Sequence, residues 1–289
     1  MRKLTAKLYD TFLIKEGEAA PLVHFWLIFM LTLGIGLAIG RASADALFLS
    51  RYGIEYLPVM YVVLAPTLAI ISIGYAAMAD HMPPEKFFRL ILIGLFVIVF
   101  ASWILIYNTD ITYIYPVYFL VHKVASELLL VHGTLYLAHN FNTLQAKRLF
   151  PLIFAGEQLG SILGGLFVST TSTFLDTRLL PLIWAILMMA GVYQLYLWHR
   201  KHGKSPHFFT TRQSGPKIKM AVKSAYQGLI FTRESPLLRN ASISLFFLVI
   251  VFYILTYSTN KIFTARFPDE QSLAGFLGLL TVATSIITL

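Results

Sequence analysis

The chain has 289 residues, 57% of them hydrophobic and only 13% charged, with a net charge of +9. Soluble domains carry roughly 25% charged residues, so a single water-facing globule cannot hide this much apolar surface, and lipid must solvate most of the chain. No cysteine is present, which excludes disulfides, thiolate metal sites and cysteine nucleophiles.

Residues 1–20 are mixed in charge and lack the apolar stretch of a cleavable signal. They read as a cytoplasmic tail, and the first apolar segment as an uncleaved anchor. About 20 apolar residues cross a hydrocarbon core of about 30 Å. Spans are therefore expected at residues 21–48, 57–78, 87–107, 111–139, 149–171, 179–199, 236–260 and 270–289. The six spans of residues 21–199 form an N-terminal half. Residues 200–235 form a basic cytoplasmic central loop, with Gly203, Pro206, Ser214, Gly215 and Pro216. That loop reads first as topology and linkage, with binding to anionic lipid as the second reading. Residues 236–289 open a second half and supply its first two helices.

The basic residues have an ordered distribution. With the N-terminus inside, sixteen lysines and arginines fall on the inner side. They lie in the tail (Arg2, Lys3, Lys7, Lys15), around the start of span three (Lys86, Arg89), before span five (Lys147, Arg148) and in the central loop. Only Arg51, Arg178, Lys261 and Arg266 fall outside. The positive-inside rule then puts the N-terminus in the cytoplasm. The net charge is an orientation signal and does not imply a nucleic-acid partner.

The chain also repeats itself. Phe48-x-x-Arg51-Tyr52-x-x-Glu55 recurs 215 residues later as Phe263-x-x-Arg266-Phe267-x-x-Glu270. Pro21 and Pro236, which open the preceding apolar segments, keep the same offset. The register sets Asp45 against Asn260. Repeated six-helix units are the build of many secondary transporters, with the substrate site between the halves.

Ionisable groups inside a span cost about 2.5–3.5 kcal/mol each, so they usually face a cavity or a partner. Arg41 and Asp45 lie in span one, Lys123 and Glu127 in span four, and Glu157 in span five. The two pairs are spaced i, i+4, so each is able to neutralise itself on one helix face. Glu127 lies deep and reads as functional. His122, His132 and His139 lack the spacing of a metal site and read as hydrogen-bonding core residues. Span five carries glycines at spacing four, Gly156, Gly160 and Gly164, beside Glu157. Such a face admits another backbone, and Gly36-x-x-x-Gly40 of span one is the expected partner. No phosphate-binding Gly-x-x-x-x-Gly-Lys-[Ser/Thr] loop and no Gly-x-Ser-x-Gly elbow occurs. No catalytic residue, metal or cofactor is therefore assigned, and the chain reads as a gradient-driven transporter rather than an enzyme.

Several runs add a resemblance. The stretch from Gly156 to Gly165 resembles the glycine motif of major-facilitator transporters, with Ser161 where that motif has proline. Asp80 and Lys86 faintly echo that superfamily's cytoplasmic loop, with Ala76 in place of its glycine. Arg41-x-x-x-Asp45-x-Leu47 and Gly53-x-Glu55-x-Leu57-Pro58 look like the first-helix signature of the ADP/ATP translocases of plastids and intracellular bacteria. Ser126-Glu127-Leu128 is similar to their fourth-helix Ser-Glu-Leu. Phe141-Asn142 and Ala146-Lys147-Arg148-Leu149-Phe150-Pro151-Leu152 resemble the run in their fourth-to-fifth loop. The resemblance covers about half of the chain.

This resemblance implies an all-α polytopic, major-facilitator-like fold, with a complete first half and the start of a second. It implies exchange of ATP and ADP, or movement of a related organic anion, by alternating access. The expected location is a bacterial inner membrane. The expected substrate residues are Arg41, Asp45, Lys123, Glu127 and Glu157. Glu127 matches the family's fourth-helix glutamate. The family's lysine before the first-helix aspartate is Ala44 here, and Arg41, Lys123 or a residue in the missing part of the second half stands as the replacement cation. The alternative is a transporter-like membrane domain that anchors or senses for other domains without transport.

Overall fold

The computed structural model describes residues 20–79, 82–109, 111–202 and 217–289. The N-terminal tail, Asp80 and most of the proline- and glycine-bearing part of the central loop lie outside these residues.

Nine long helices account for nearly all of the described chain. They are α1 Ala20–Arg51, α2 Leu57–Ala79, α3 Pro84–Asn108, α4 Ile114–Asn140, α5 Thr143–Thr171, α6 Leu180–His202, α7 Lys217–Glu234, α8 Pro236–Arg266 and α9 Glu270–Thr288. Eight are long and apolar enough to cross a membrane, all but α7. The protein is an all-α, multi-pass integral membrane protein, as its composition requires.

Local chemistry sets the helix ends. α1 closes with the Tyr52 and Gly53 N–H groups on the Phe48 carbonyl, at 3.0 and 3.1 Å. Gly53 has φ 117°, which an L side chain rarely adopts, so the turn needs glycine there. α3 starts on a proline, whose missing N–H would have no partner in a first turn. α9 starts on Asp269, whose carboxylate accepts from the Ser272 N–H at 3.0 Å.

Several boundaries differ from the sequence reading, among them the end of α8, which runs to Arg266 and not 260. α5 begins at Thr143, not 149, because Asn142 and Gln145 form a reciprocal capping box. Gln145 N–H donates to Asn142 Oδ1 at 2.8 Å, and Asn142 N–H to Gln145 Oε1 at 3.1 Å. The run Ala146 to Leu152, expected in a connection, is therefore helical, with Pro151 inside the helix. The central loop also contains the α7 helix. Its lysines and apolar residues are interleaved at helical spacing, a pattern missed when the segment is read for charge alone.

α1 is the hub. It packs most extensively on α5, and also on α6, α9 and α4. The α1–α5 contact depends on absent side chains. A Cβ at Gly156 would lie 2.7 Å from the Leu27 carbonyl oxygen, and one at Gly164 2.6 Å from that of Ile35. At Gly160 it would run into the Leu31 carbonyl, and at Gly34 into that of Glu157. The spacing-four face therefore lies on α1, as small-residue membrane contacts do. Its partner is not Gly36-x-x-x-Gly40. Those two glycines make room for the Trp184 indole of α6. Gly165 meets Gly278 in the same way, seating α9 against α5.

Large aromatic residues fill the remaining core, with Trp26, Phe29, Phe88, Tyr118 and Trp184 fully buried. Hydrogen bonds between side chains also tie α1 to α4 and α6. Ser43 Oγ meets Tyr118 OH at 2.8 Å, and Gln194 Nε2 donates to Thr32 Oγ1 at 2.8 Å.

Candidate functional site

A cavity of about 670 Å³ opens between α1, α2 and α4 on one side and α8 and α9 on the other. Arg41 and Asp45 reach it from α1, and Lys123, Ser126 and Glu127 from α4. Tyr61 comes from α2, and Tyr253, Thr256 and Asn260 from α8. Four of the five expected site residues thus share one chamber. Glu157 does not line it. It borders a smaller cavity of about 150 Å³, together with Ser126 and Glu127. Glu127 belongs to both.

Helical periodicity explains the convergence. Arg41 and Asp45 are one turn apart on α1, and Lys123 and Glu127 one turn apart on α4, so each helix presents two charges to the gap. The ion pair that forms lies between helices and not within one. Lys123 Nζ donates to Asp45 Oδ1 at 3.0 Å, with both side chains only partly exposed. The same ammonium lies 4.7 Å from the centroid of the Phe119 ring, a cation–π contact. Arg41 and Glu127 are exposed to the chamber. A pair spanning α1 and α4 fixes their register. It also leaves one cation and one carboxylate facing the space.

The repeat register has a structural counterpart. Asp45 and its match Asn260 line the same chamber. The 215-residue offset also carries Arg41 onto Thr256, which lines it too. Equivalent faces of α1 and α8 therefore look at one another across the space. Ala44 looks the other way. It is fully buried in the core beside Leu47, so that position gives no access to the chamber.

Sequence reasoning missed the two tyrosines. Tyr61 and Tyr253 stack with ring centroids 4.1 Å apart, bridging α2 and α8. A phenol hydroxyl within an apolar span is the signal, since a buried Tyr usually needs a polar neighbour. Of the three histidines, His132 and His122 are buried, although His122 also borders the chamber, whereas His139 is exposed and not a core residue. His132 contacts Tyr75 OH and the Pro84 carbonyl, each at 2.9 Å. His122 packs against Trp184, with Nε2 3.4 Å from the Leu37 carbonyl.

At one rim, Arg51 Nε donates to Glu270 Oε2 at 2.5 Å, tying the C-terminal end of α1 to the first turn of α9. Both residues come from the repeated motif, one from each copy. Arg51→Glu should weaken this closure, and Arg51→Glu with Glu270→Arg should restore it. The pair is partly exposed, so the expected change in stability is below about 1 kcal/mol. Labelling of cysteines placed on the chamber wall reads the closure directly, because the chain has no cysteine of its own. Equal labelling of the single and double variants would exclude a closing role.

Comparison with family models, with curated proteins and with solved structures gives no match to this chain.

Proposed function

We propose that the chain is a secondary transporter of the major-facilitator-like type, moving nucleotides in the manner of an ADP/ATP translocase, or a related organic anion. The reading rests on one observation above all. A chamber large enough for a small organic molecule lies between helices carrying the two copies of the repeat, and four intramembrane ionisable residues face it.

The chemistry fits an anionic substrate. Arg41 supplies an exposed guanidinium whose planar fork matches phosphate oxygens. Lys123 is held by Asp45, and an entering phosphate competes with that carboxylate for the ammonium. Glu127 gates or discriminates through charge pairing with the cations of the chamber, Arg41 and Lys123. The Tyr61–Tyr253 stack and the Arg51–Glu270 pair both join the first half to the second. Rocking of one half against the other breaks them, whereas the Lys123–Asp45 pair stays within the first half. In this reading the N-terminus is cytoplasmic and the membrane is a bacterial inner membrane.

A second reading, an anchor or sensor without transport, is favoured by the pairing of Lys123 and by the core position of Ala44. Uptake of labelled ATP and ADP into proteoliposomes, with and without internal nucleotide, separates the two. Counter-exchange is expected, and Glu127→Gln should lower it at least about tenfold, the equivalent of 1.4 kcal/mol. Unchanged exchange in Glu127→Gln at equal protein levels would remove Glu127 from the mechanism. Absence of nucleotide flux from folded protein would leave another organic anion or the anchor.

A further inference from the structure

We propose that the outer face of the α3–α6 pair binds one anionic phospholipid, with an acyl chain in the groove between the helices and the phosphate on Arg89.

The two helices run antiparallel, because Glu85 in the first turn of α3 pairs with His199 in the last part of α6. An outward groove of about 730 Å³ lies between them, with walls that include Phe96, Phe100, Ile186, Tyr193 and Tyr196. From Leu182 to Tyr196 the groove follows α6 for about 20 Å at 1.5 Å per residue. That is somewhat more than half of a hydrocarbon core of about 30 Å, the depth of one leaflet. Its length and apolar walls suit a single acyl chain.

One end of the groove is polar. Arg89 borders it, and Arg89 Nε is buried without a hydrogen-bond partner among the described residues. A buried donor left unpaired is destabilising, and the Arg89 guanidinium that borders the groove can give a phosphate oxygen charge-assisted bonds. Arg89 lies in the second turn of α3, near the positive end of the helix dipole. Lys86 and Arg200 flank the same end, and both are exposed. The Glu85 carboxylate near this end is engaged by His199. The charge at this end therefore complements an anionic headgroup. A free phosphate would use Arg89 but not the groove. This site lies outside the chamber and does not depend on the transport reading.

The test uses the full chain purified in detergent and titrated with phosphatidylglycerol or phosphatidylcholine, with retained lipid counted by native mass spectrometry. Wild-type protein should retain phosphatidylglycerol in preference. Arg89→Gln should lower that preference about fivefold, the effect of one cation at an anionic surface. Arg89→Lys should keep most of it. Ala190→Trp fills the groove without touching a charge, and should lower retention of both lipids. Inorganic phosphate should not displace the bound lipid. Full phosphatidylglycerol preference in folded Arg89→Gln would overturn the proposal, as would displacement by inorganic phosphate alone. If Arg89→Gln does not fold, Ala190→Trp decides: unchanged retention overturns the site.

Discussion

Gly160→Ala should abolish most of the folded protein. The added methyl would run into the Leu31 carbonyl and lie 2.9 Å from the Ile35 nitrogen, both of them backbone atoms of α1. Overpacking against side chains typically costs about 1–3 kcal/mol. A backbone yields less than a side chain, so the loss here exceeds that range or α5 separates from α1. Two other glycines calibrate the effect. A Cβ at Gly36 would meet the edge of the Trp184 ring at 3.1 Å, which a small ring shift relieves. A Cβ at Gly94 would meet nothing within 4 Å, so Gly94→Ala should be neutral or gain up to about 1 kcal/mol of helix propensity. Thermal unfolding in detergent, with the monodisperse fraction, ranks the three. Equal stability of Gly160→Ala and Gly94→Ala would mean that α1 and α5 are not in backbone contact.

The same contact shows which parts of the fold are legible in a sequence. Span number follows from hydropathy, because every lipid-facing backbone group must be satisfied within its own helix. The glycine face of α5 is also visible, since spacing four places Gly156, Gly160 and Gly164 on one side. Its partner is not visible. Gly36 and Gly40 have the same spacing, yet they accommodate an indole from α6, and α1 meets α5 through the carbonyls of Leu27, Leu31 and Ile35. Small-residue spacing identifies a face that can be approached, and not what approaches it. The candidate site divides in the same way. Charge in an apolar span marked Arg41, Asp45, Lys123 and Glu127, and all four reach one chamber. Glu157 carries the same mark and borders a different space, because its rotation on α5 is set by the glycines packed on α1. The α7 helix was hidden by its lysines, and the start of α5 by reading Asn142 and Gln145 as loop rather than cap.

Lys123→Gln and Asp45→Asn should each destabilise the protein, and the double variant should recover most of the loss. Removing one partner of a fully buried ion pair costs about 3–5 kcal/mol, because the other charge is left without a partner. The Lys123 and Asp45 side chains are 25% and 18% exposed to a chamber that admits water, so about 1–3 kcal/mol is expected for each single change. In the double variant both charges are gone, and a coupling energy of about 0.5–3 kcal/mol should appear in the cycle. Glu127→Gln should leave stability nearly unchanged, because Lys123 is committed to α1 and not to its neighbour one turn along. A loss in Glu127→Gln as large as in Asp45→Asn would restore the intrahelical pairing that the i, i+4 spacing suggested. The double variant also separates architecture from transport. With the bundle intact and the ammonium removed, nucleotide exchange should fall well below wild type if phosphate competes with Asp45 for Lys123. Exchange at wild-type rates would make the pair a helix clamp alone and leave Arg41 as the cation that meets the substrate.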